Sequence, residues 1–226
     1  MDYTQIAPFI QTAARYAQLI LPALGAGARV TYTIFFSTLI FSIPLGLILA
    51  ILGLSRLRAL RALIVAYIWL FRGTPLLLQL FFIWFALPHV GLRLERLFAV
   101  VLTFSLNYAA YFAEIFRGGI QSIDRGQYEG CHVLGFTYPQ TMRHVVLPQV
   151  VKRVLPPLGN EVITLIKDTA LAFAIGVPDL IRVAQIAAGR DFRLDAYFYA
   201  VVFYLVNTLI LTWLLKKTEQ RFAYYE

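Results

Sequence analysis

The sequence has few charged residues and almost no cysteine, and both shortages narrow the possible functions. Asp, Glu, Lys and Arg make up 14% of the 226 residues, whereas soluble domains contain about a quarter. The single cysteine, Cys131, cannot form an intramolecular disulfide, and no metal-ligand spacing surrounds it. The sequence also lacks a G-x-x-x-x-G-K-S/T phosphate-binding loop, so we expect the chain to bind no ATP itself. Neither a metal nor a cofactor is predicted.

The segments of the sequence that lack charged residues are long and apolar. Hydrophobic residues make up 60% of the sequence, and its mean hydropathy is +0.71. The run 30–54 contains no Asp, Glu, Lys, Arg or His. As a helix it would be about 37 Å long, which exceeds a hydrocarbon core of about 30 Å. The sequence therefore predicts an all-α integral membrane protein.

Hydropathy predicts five membrane spans within one domain that covers residues 1–226. The stretch 16–28 is apolar but contains Pro22 and glycines, so it is predicted to be an interfacial lead-in and not a sixth span. The N-terminal region has neither a basic segment nor a cleavage site, so no signal peptide is predicted. The five predicted spans cover about 30–54, 62–88, 97–116, 154–177 and 196–215.

Basic residues are concentrated in alternate connections between the spans. Segment 55–61 contains three arginines and no acid, and segment 117–153 contains five basic residues against two acids. The positive-inside rule places such connections in the cytoplasm. We therefore predict an extracellular-side N-terminus and a cytoplasmic C-terminus. The net charge of +8 is explained by this topology, and no nucleic-acid partner is expected.

The second predicted span is interrupted by Gly73, Thr74 and Pro75. Proline cannot continue a helix without losing a backbone hydrogen bond, so a break is predicted beside Arg72. Two interpretations of Arg72 stay open. It either reaches headgroups from a helix end, or it lines a polar cavity where it can meet a carboxylate.

The third span carries a polar stripe. Asn107, Tyr111 and Glu114 are spaced i, i+4 and i+7 and project from one helical face, which must contact protein or water. One interpretation is structural: Asn107 and Tyr111 make interhelical hydrogen bonds, and Glu114 pairs with Arg117 at i+3. The other is that the stripe lines a path for a solute.

The fourth span is the least suited to lipid. Glu161, Thr164 and Asp168 share one helical face, with Asn160 and Lys167 beside it. Such groups form either a closed buried network or a path for a polar solute, and the path is favoured. Carboxylates beside a cation suit a zwitterion. The predicted substrate pathway comprises Arg72, Thr74, Asn107, Tyr111, Asn160, Glu161, Thr164, Lys167, Asp168 and Thr169.

The connection 118–152 is long and mixed in character, which is typical of a functional or partner-binding loop. A short helix is predicted over 127–134, ended by Gly135. Glu129-Gly130-Cys131, followed by Gly135 and then by 145–148, resembles the loop signature of ATP-binding-cassette (ABC) importer permeases. In that signature two alanines follow the glutamate, where this chain has Gly130 and Cys131.

Further motifs, within 70–75, 111–120, 157–161 and 167–169, are similar to the branch of that family that transports polar amino acids such as histidine, arginine, glutamine and glutamate. The resemblance implies an importer permease of the bacterial inner membrane, with a cytoplasmic coupling helix. It further implies cytoplasmic ATPase subunits, a second permease chain (identical or related) and an extracytoplasmic amino-acid-binding protein. The residues it assigns to ATPase coupling are Gln127, Tyr128, Glu129, Gly130, Cys131, Gly135 and Pro148.

Three other functions compete with that of an amino-acid importer. A secondary transporter or channel would usually need more spans or an internal repeat, and no repeat is visible. An intramembrane enzyme could use Glu161 and Asp168, but no nucleophile and base fall in one span. A permease of the same class with another cargo is disfavoured by the family resemblance alone.

Overall fold

The computed structural model describes the backbone of residues 3–222 and the side chains of residues 15–222. All regular structure within the described backbone is helical, which confirms the predicted fold class. Short segments of π- or 3-10 helix extend some of the helices: Phe82–Ala86, Leu87–Val90, Met142–Val146 and Thr169–Ile175. The α-helices are α1 (Tyr3–Gly53), α2 (Arg58–Gly73), α3 (Leu76–Phe81), α4 (Arg96–Gln121), α5 (Arg125–Val133), α6 (Tyr138–Thr141), α7 (Leu147–Asp168), α8 (Leu180–Asp191) and α9 (Asp195–Phe222).

Three helices in the described region are long and apolar enough to cross a membrane by themselves. These are α1 from Arg15 to Gly53, α4 and α9. Two bent pairs could each add one span: Arg58–Gly73 with Leu76–Val90, bent by 105°, and Tyr138–Ile175 with Leu180–Asp191, bent by 54°. The number of spans is therefore three to five by length and composition, and the predicted five is the upper value.

Helix α1 is longer than the first predicted span. It runs without interruption from Tyr3 to Gly53, so 16–28 is continuous with that span, adds no sixth span and is not broken at Pro22. Pro22 removes one backbone hydrogen bond, but a neighbouring helix can compensate for such a loss in a membrane protein. Tyr16, Ile20 and Leu24 lie one turn apart and are buried in a core with α8 and α9 residues. Tertiary packing therefore keeps this segment helical.

The chain divides into two compact units. The first consists of the residues up to 36 together with 165–209, and the second consists of 37–164 together with the residues from 210 onward. Helices α1, α7 and α9 each contribute to both units.

In the first unit, α1 and the start of α8 approach each other closely. A Cβ atom on Gly27 would lie 3.0 Å from the Asp179 carbonyl oxygen, so only glycine fits there without a shift. Thr31 Oγ1 accepts a hydrogen bond from the Leu180 N–H at 3.2 Å. The buried Asp179 carboxylate accepts from the N–H groups of Ile181 and Arg182, at 3.2 and 3.0 Å. The first N–H groups of α8 are thus satisfied inside the protein.

In the second unit, two apolar clusters hold the helices together. One joins Leu49 of α1 and Ile64 and Ile68 of α2 to small residues of α4, including Ala109 and Ala113. The other joins the region after α4 to α7 and is formed by Ile123, Val146, Val150 and Val154. The second cluster fixes the loop that contains α5.

Candidate functional site

The predicted break in the second span is present. Helix α2 ends at Gly73 and α3 begins at Leu76, after Thr74 and Pro75. The carbonyl groups left without helical partners are satisfied by side chains. Gln79 Nε2 donates to the Phe71 carbonyl at 2.9 Å and to the Thr74 carbonyl at 3.0 Å. The break is therefore a closed, hydrogen-bonded element of the fold.

Asn107 fastens α4 to this break. Its side chain is buried, with 4% exposure, and its Nδ2 donates to the Phe71 carbonyl and to Gln79 Oε1, both at 3.0 Å. The structural interpretation of Asn107 is thus the one observed. The Thr74 hydroxyl also makes a local hydrogen bond, which it donates to the Leu70 carbonyl at 2.8 Å.

Gln79 was not among the residues predicted from the sequence. Its amide donates to the Phe71 carbonyl at the end of α2 and to the Thr74 carbonyl within the break, and it accepts a hydrogen bond from Asn107. The available signal was an amide side chain within the otherwise apolar run 76–88, where a polar group in lipid is costly without a partner.

The other two residues of the α4 stripe meet Arg72. The Arg72 guanidinium carbon lies 5.3 Å from the centre of the Tyr111 ring, and Nη1 lies 3.9 Å from Glu114 Oε1. Arg117 binds the same carboxylate through Nε, at 3.0 Å from Oε2, and through Nη2. The predicted i+3 pair of Glu114 with Arg117 is confirmed. The carboxylate that Arg72 contacts is thus that of Glu114, in the same chain.

The polar residues predicted in the fourth span lie on α7 and the turn that follows it. Asn160 and Lys167 are exposed, whereas Glu161, Thr164 and Asp168 are half-buried. The exposed side chains of Asn160 and Lys167 are accessible at the surface of a single chain.

The two threonines of this set bond to their own helical backbone. Thr164 donates to the Asn160 carbonyl at 3.0 Å, and the buried Thr169 donates to the Ile166 carbonyl at 2.7 Å. The boundary between the compact units falls after Thr164. Asn160, Glu161 and Thr164 therefore belong to the second unit, and Lys167, Asp168 and Thr169 belong to the first.

The short helix predicted in the connecting loop is confirmed as α5, which begins two residues before the predicted start at 127. Asp124 caps its first turn by accepting a hydrogen bond from the Gly126 N–H at 2.6 Å. Gly135 ends the helix with a φ of +77°, which other residues rarely adopt. The Phe136 N–H bonds to the Cys131 carbonyl at 2.9 Å and the Gly135 N–H bonds to the His132 carbonyl at 3.0 Å, which is a Schellman motif.

One face of α5 packs against the loop. Cys131 is buried, with 7% exposure, and Tyr128 packs on the apolar cluster that includes Val146 and Val150. Gln127 Oε1 accepts a hydrogen bond from Gln149 Nε2 of α7 at 3.2 Å. The contacts of α5 therefore run to the start of α7, where Pro148 is half-buried.

The other face of α5 and its C-cap residue are exposed. Val133 at the end of α5 and Leu134 after it have 86% and 75% exposure, which is unusual for apolar side chains in a short loop. Glu129 and Gly130 are exposed as well, and a Cβ atom on Gly130 would have no heavy atom within 4 Å. This face combines exposed apolar side chains with a carboxylate, which is typical of protein contact surfaces. Of the residues assigned to coupling, Cys131 does not contribute its side chain to it.

Known proteins similar to this chain are transport permeases. Residues 42–224 match the family described as "Binding-protein-dependent transport system inner membrane component". The chain is 36% identical to the arginine transport system permease protein ArtQ of Bacillus subtilis (strain 168), with 89% of this chain and 93% of that protein covered. It is 44% identical to the glutamine transport system permease protein GlnP of Escherichia coli (strain K12), with 69% and 72% covered.

Solved structures agree with this family match. A chain of a crystal structure described as an amino acid ABC transporter with histidines superimposes with a TM-score of 0.84 at 33% identity, covering 98% of this chain and 99% of that chain. A chain of the MetNI methionine ABC transporter, at 19% identity, has a TM-score of 0.67 and covers 92% and 98%. The second likeness concerns the fold alone.

Proposed function

Since the chain belongs to the family of binding-protein-dependent transport system inner membrane components, we propose that it is the permease subunit of an ATP-driven amino-acid importer. The observation that carries this proposal is similarity over most of the chain to permeases named for glutamine and arginine transport. Membership of this family argues against the interpretations as a secondary transporter and as an intramembrane enzyme. The chain is then a transport subunit, and ATP hydrolysis with its Mg²⁺ takes place on a partner.

The exposed face of α5 is the proposed contact with a cytoplasmic ATPase subunit. Val133 and Leu134 would enter an apolar groove of the partner, and Glu129 would meet a polar or basic rim. Because α5 packs on the cluster that contains Val150 and bonds to Gln149, a displacement of α5 pulls on α7. Helix α7 carries the polar residues of the fourth span, so nucleotide-driven movement reaches the solute path through one helix.

The proposed orientation follows the distribution of basic residues. The α1–α2 turn, the α5 loop and the C-terminus lie in the cytoplasm, and the N-terminus lies outside the bacterial inner membrane. The proposed assembly contains two ATPase subunits, a second permease chain and an extracytoplasmic amino-acid-binding protein. The lipid bilayer surrounds it, and no nucleic acid or cofactor of this chain takes part.

The proposed cargo is a polar amino acid. In the first compact unit, exposed Lys167 and half-buried Asp168 offer a cation and a carboxylate, which suit the two charges of a zwitterion. Glu161, in the second unit, offers another carboxylate. Arg72 contributes indirectly, since Glu114 already neutralises part of its charge.

The test is a reconstituted assembly. The chain is co-expressed with its ATPase and binding-protein partners, inserted into vesicles, and supplied with single amino acids while ATP hydrolysis and uptake are measured. The expected result is stimulation of both by one amino acid or a small group of them. Uptake that proceeds without the ATPase, or an ATPase that responds to no amino acid, would contradict the proposal.

A further inference from the structure

The turn between α1 and α2 and the first turn of α2 are basic and contain no acid. Arg56 in the turn and Arg58 and Arg61 of α2 are exposed, and Leu57 beside them has 67% exposure. Helix α2 begins at Arg58 without a side chain that caps its first N–H groups. Free N–H donors at a helix N-terminus favour negative charge. Positive side chains, open backbone donors and an exposed apolar residue therefore adjoin at one end of α2.

A groove of about 380 Å³ lies between α1, α2 and α4 and has Arg61 on its wall. Arg72 and Arg117 also line it, against one carboxylate, that of Glu114. Arg117 is already bound to Glu114 and Gln121. The Arg61 guanidinium has neither an ion pair nor a hydrogen bond among residues 15–222. Three guanidinium groups against one carboxylate leave an excess of two positive charges.

Apart from Gln121, the remaining residues that line the groove are apolar. Buried Ile64 and Ile68 form its floor, while Val65 and Trp69 stand at its edge with 56% and 75% exposure. From Arg61 to Trp69 the helix rises about 12 Å, a length that part of an acyl chain can follow. An exposed apolar edge of this kind suits contact with an acyl chain.

We propose that this groove binds an anionic phospholipid. Its phosphate lies beside Arg61 at the end of the groove nearest the α1–α2 turn, and one acyl chain lies along Ile64, Val65 and Trp69. A guanidinium offers a phosphate two parallel N–H donors, and basic pockets between membrane helices are known to hold acidic headgroups. The orientation proposed above decides the leaflet, but the site itself does not depend on it.

Trp69 provides a direct reporter for this site. The chain has three tryptophans, so replacing Trp84 and Trp213 by Phe leaves Trp69 as the single fluorophore. The full-length chain is inserted into phosphatidylcholine vesicles that contain the same fraction of either brominated phosphatidylglycerol or brominated phosphatidylcholine. Brominated phosphatidylglycerol is expected to quench Trp69 more strongly, because it is enriched in the groove.

Variants of Arg61 then test the charge. Arg61→Gln is expected to lower the relative affinity for phosphatidylglycerol about fivefold, the equivalent of roughly 1 kcal/mol for one arginine near a membrane surface. Arg61→Lys keeps the charge and is expected to retain most of the preference. Arg221→Gln, at an exposed arginine of α9, is the matched control and should change nothing.

Three outcomes would overturn the proposal. The first is equal quenching by the two brominated lipids in the parent chain. The second is an equal loss in Arg61→Gln and Arg221→Gln. The third is loss of the preference when inorganic phosphate or glycerol 3-phosphate is added to the buffer, which would assign the groove to a soluble anion. The measurement needs neither an ATPase nor an amino acid, so its outcome is independent of the proposed transport function.

Discussion

The hydrogen bonds at the α2–α3 break make Asn107 a sharp test of how the broken span is held. Asn107→Leu keeps the side-chain volume and removes two hydrogen bonds, to the Phe71 carbonyl and to Gln79 Oε1. The Phe71 carbonyl keeps a second bond, from Gln79 Nε2. Gln79 Oε1 has no other hydrogen bond among the described residues, so the variant leaves it unsatisfied.

The expected loss follows from these contacts. Two hydrogen bonds between membrane helices contribute about 0.6 kcal/mol each, and an unsatisfied buried acceptor costs about 1 kcal/mol or more. We therefore expect Asn107→Leu to lower the free energy of unfolding by about 2 kcal/mol. In a double-mutant cycle with Gln79→Leu, the two losses should not add, because the second substitution removes the unsatisfied oxygen.

The assay is reversible unfolding by SDS in mixed micelles, followed by helical circular dichroism. Ser105→Ala is the matched control: Ser105 is also buried on α4, and its hydroxyl has no hydrogen-bond partner within the described part of the chain. Its removal should leave stability unchanged or slightly higher. If Asn107→Leu is no less stable than Ser105→Ala, or if the losses with Gln79→Leu simply add, the hydrogen-bonded break does not contribute as described.

Four further predictions concern the loop, the path and a helix cap. Gly135→Val should reduce amino-acid-stimulated ATP hydrolysis, because a φ of +77° costs a branched side chain at least 1–2 kcal/mol by order of magnitude; Gly130→Ala, equally free of neighbours but helical, should retain it. Glu129→Lys should uncouple hydrolysis from uptake while the chain still inserts, and a wild-type uptake rate in that variant would refute the assigned contact. Glu161→Gln should change uptake kinetics or amino-acid preference without loss of ATPase assembly, and unaltered kinetics would instead support a structural role. Hydrogen bonds from the Leu97 and Phe98 N–H groups lower the pKa of Glu95, so its contribution to stability is present above the unfolded pKa of about 4.3 and is lost as pH falls through the lower folded pKa. Because Glu95 is exposed and its charge is screened by solvent, Glu95→Gln should be less stable by only about 0.5 kcal/mol at neutral pH, and unfolding curves of the two proteins should coincide in strong acid.

Features set by one residue's backbone chemistry were predictable from the sequence. Pro75 after Gly73 marked the break in the second span, and Gly135 marked the end of α5, because proline lacks an N–H and glycine alone adopts positive φ readily. The stripe of Asn107, Tyr111 and Glu114 followed from helical periodicity. Each of these signals depends only on residues that are close in sequence, and each predicted feature is present in the structure.

Features that depend on partners distant in sequence were not predictable in the same way. Pro22 indicated a break in α1, yet packing of Tyr16 and Ile20 against α8 and α9 keeps the helix continuous. Gln79 gave no motif, and its importance follows from the carbonyls that the neighbouring break exposes. The fourth-span residues showed which chemistry is available, but their division between two compact units was not visible in their spacing.

The burial of Cys131 has a practical consequence. It is the only thiol in the chain, and it lies on the face of α5 that packs against the loop. A maleimide reagent can therefore label this thiol only when α5 separates from the loop, whereas a rigid-body movement of α5 together with α7 leaves it protected. The rate at which Cys131 is labelled during ATP turnover therefore distinguishes two movements of α5 without the introduction of another cysteine. A low rate indicates that α5 moves together with α7, and a high rate indicates that α5 separates from the loop.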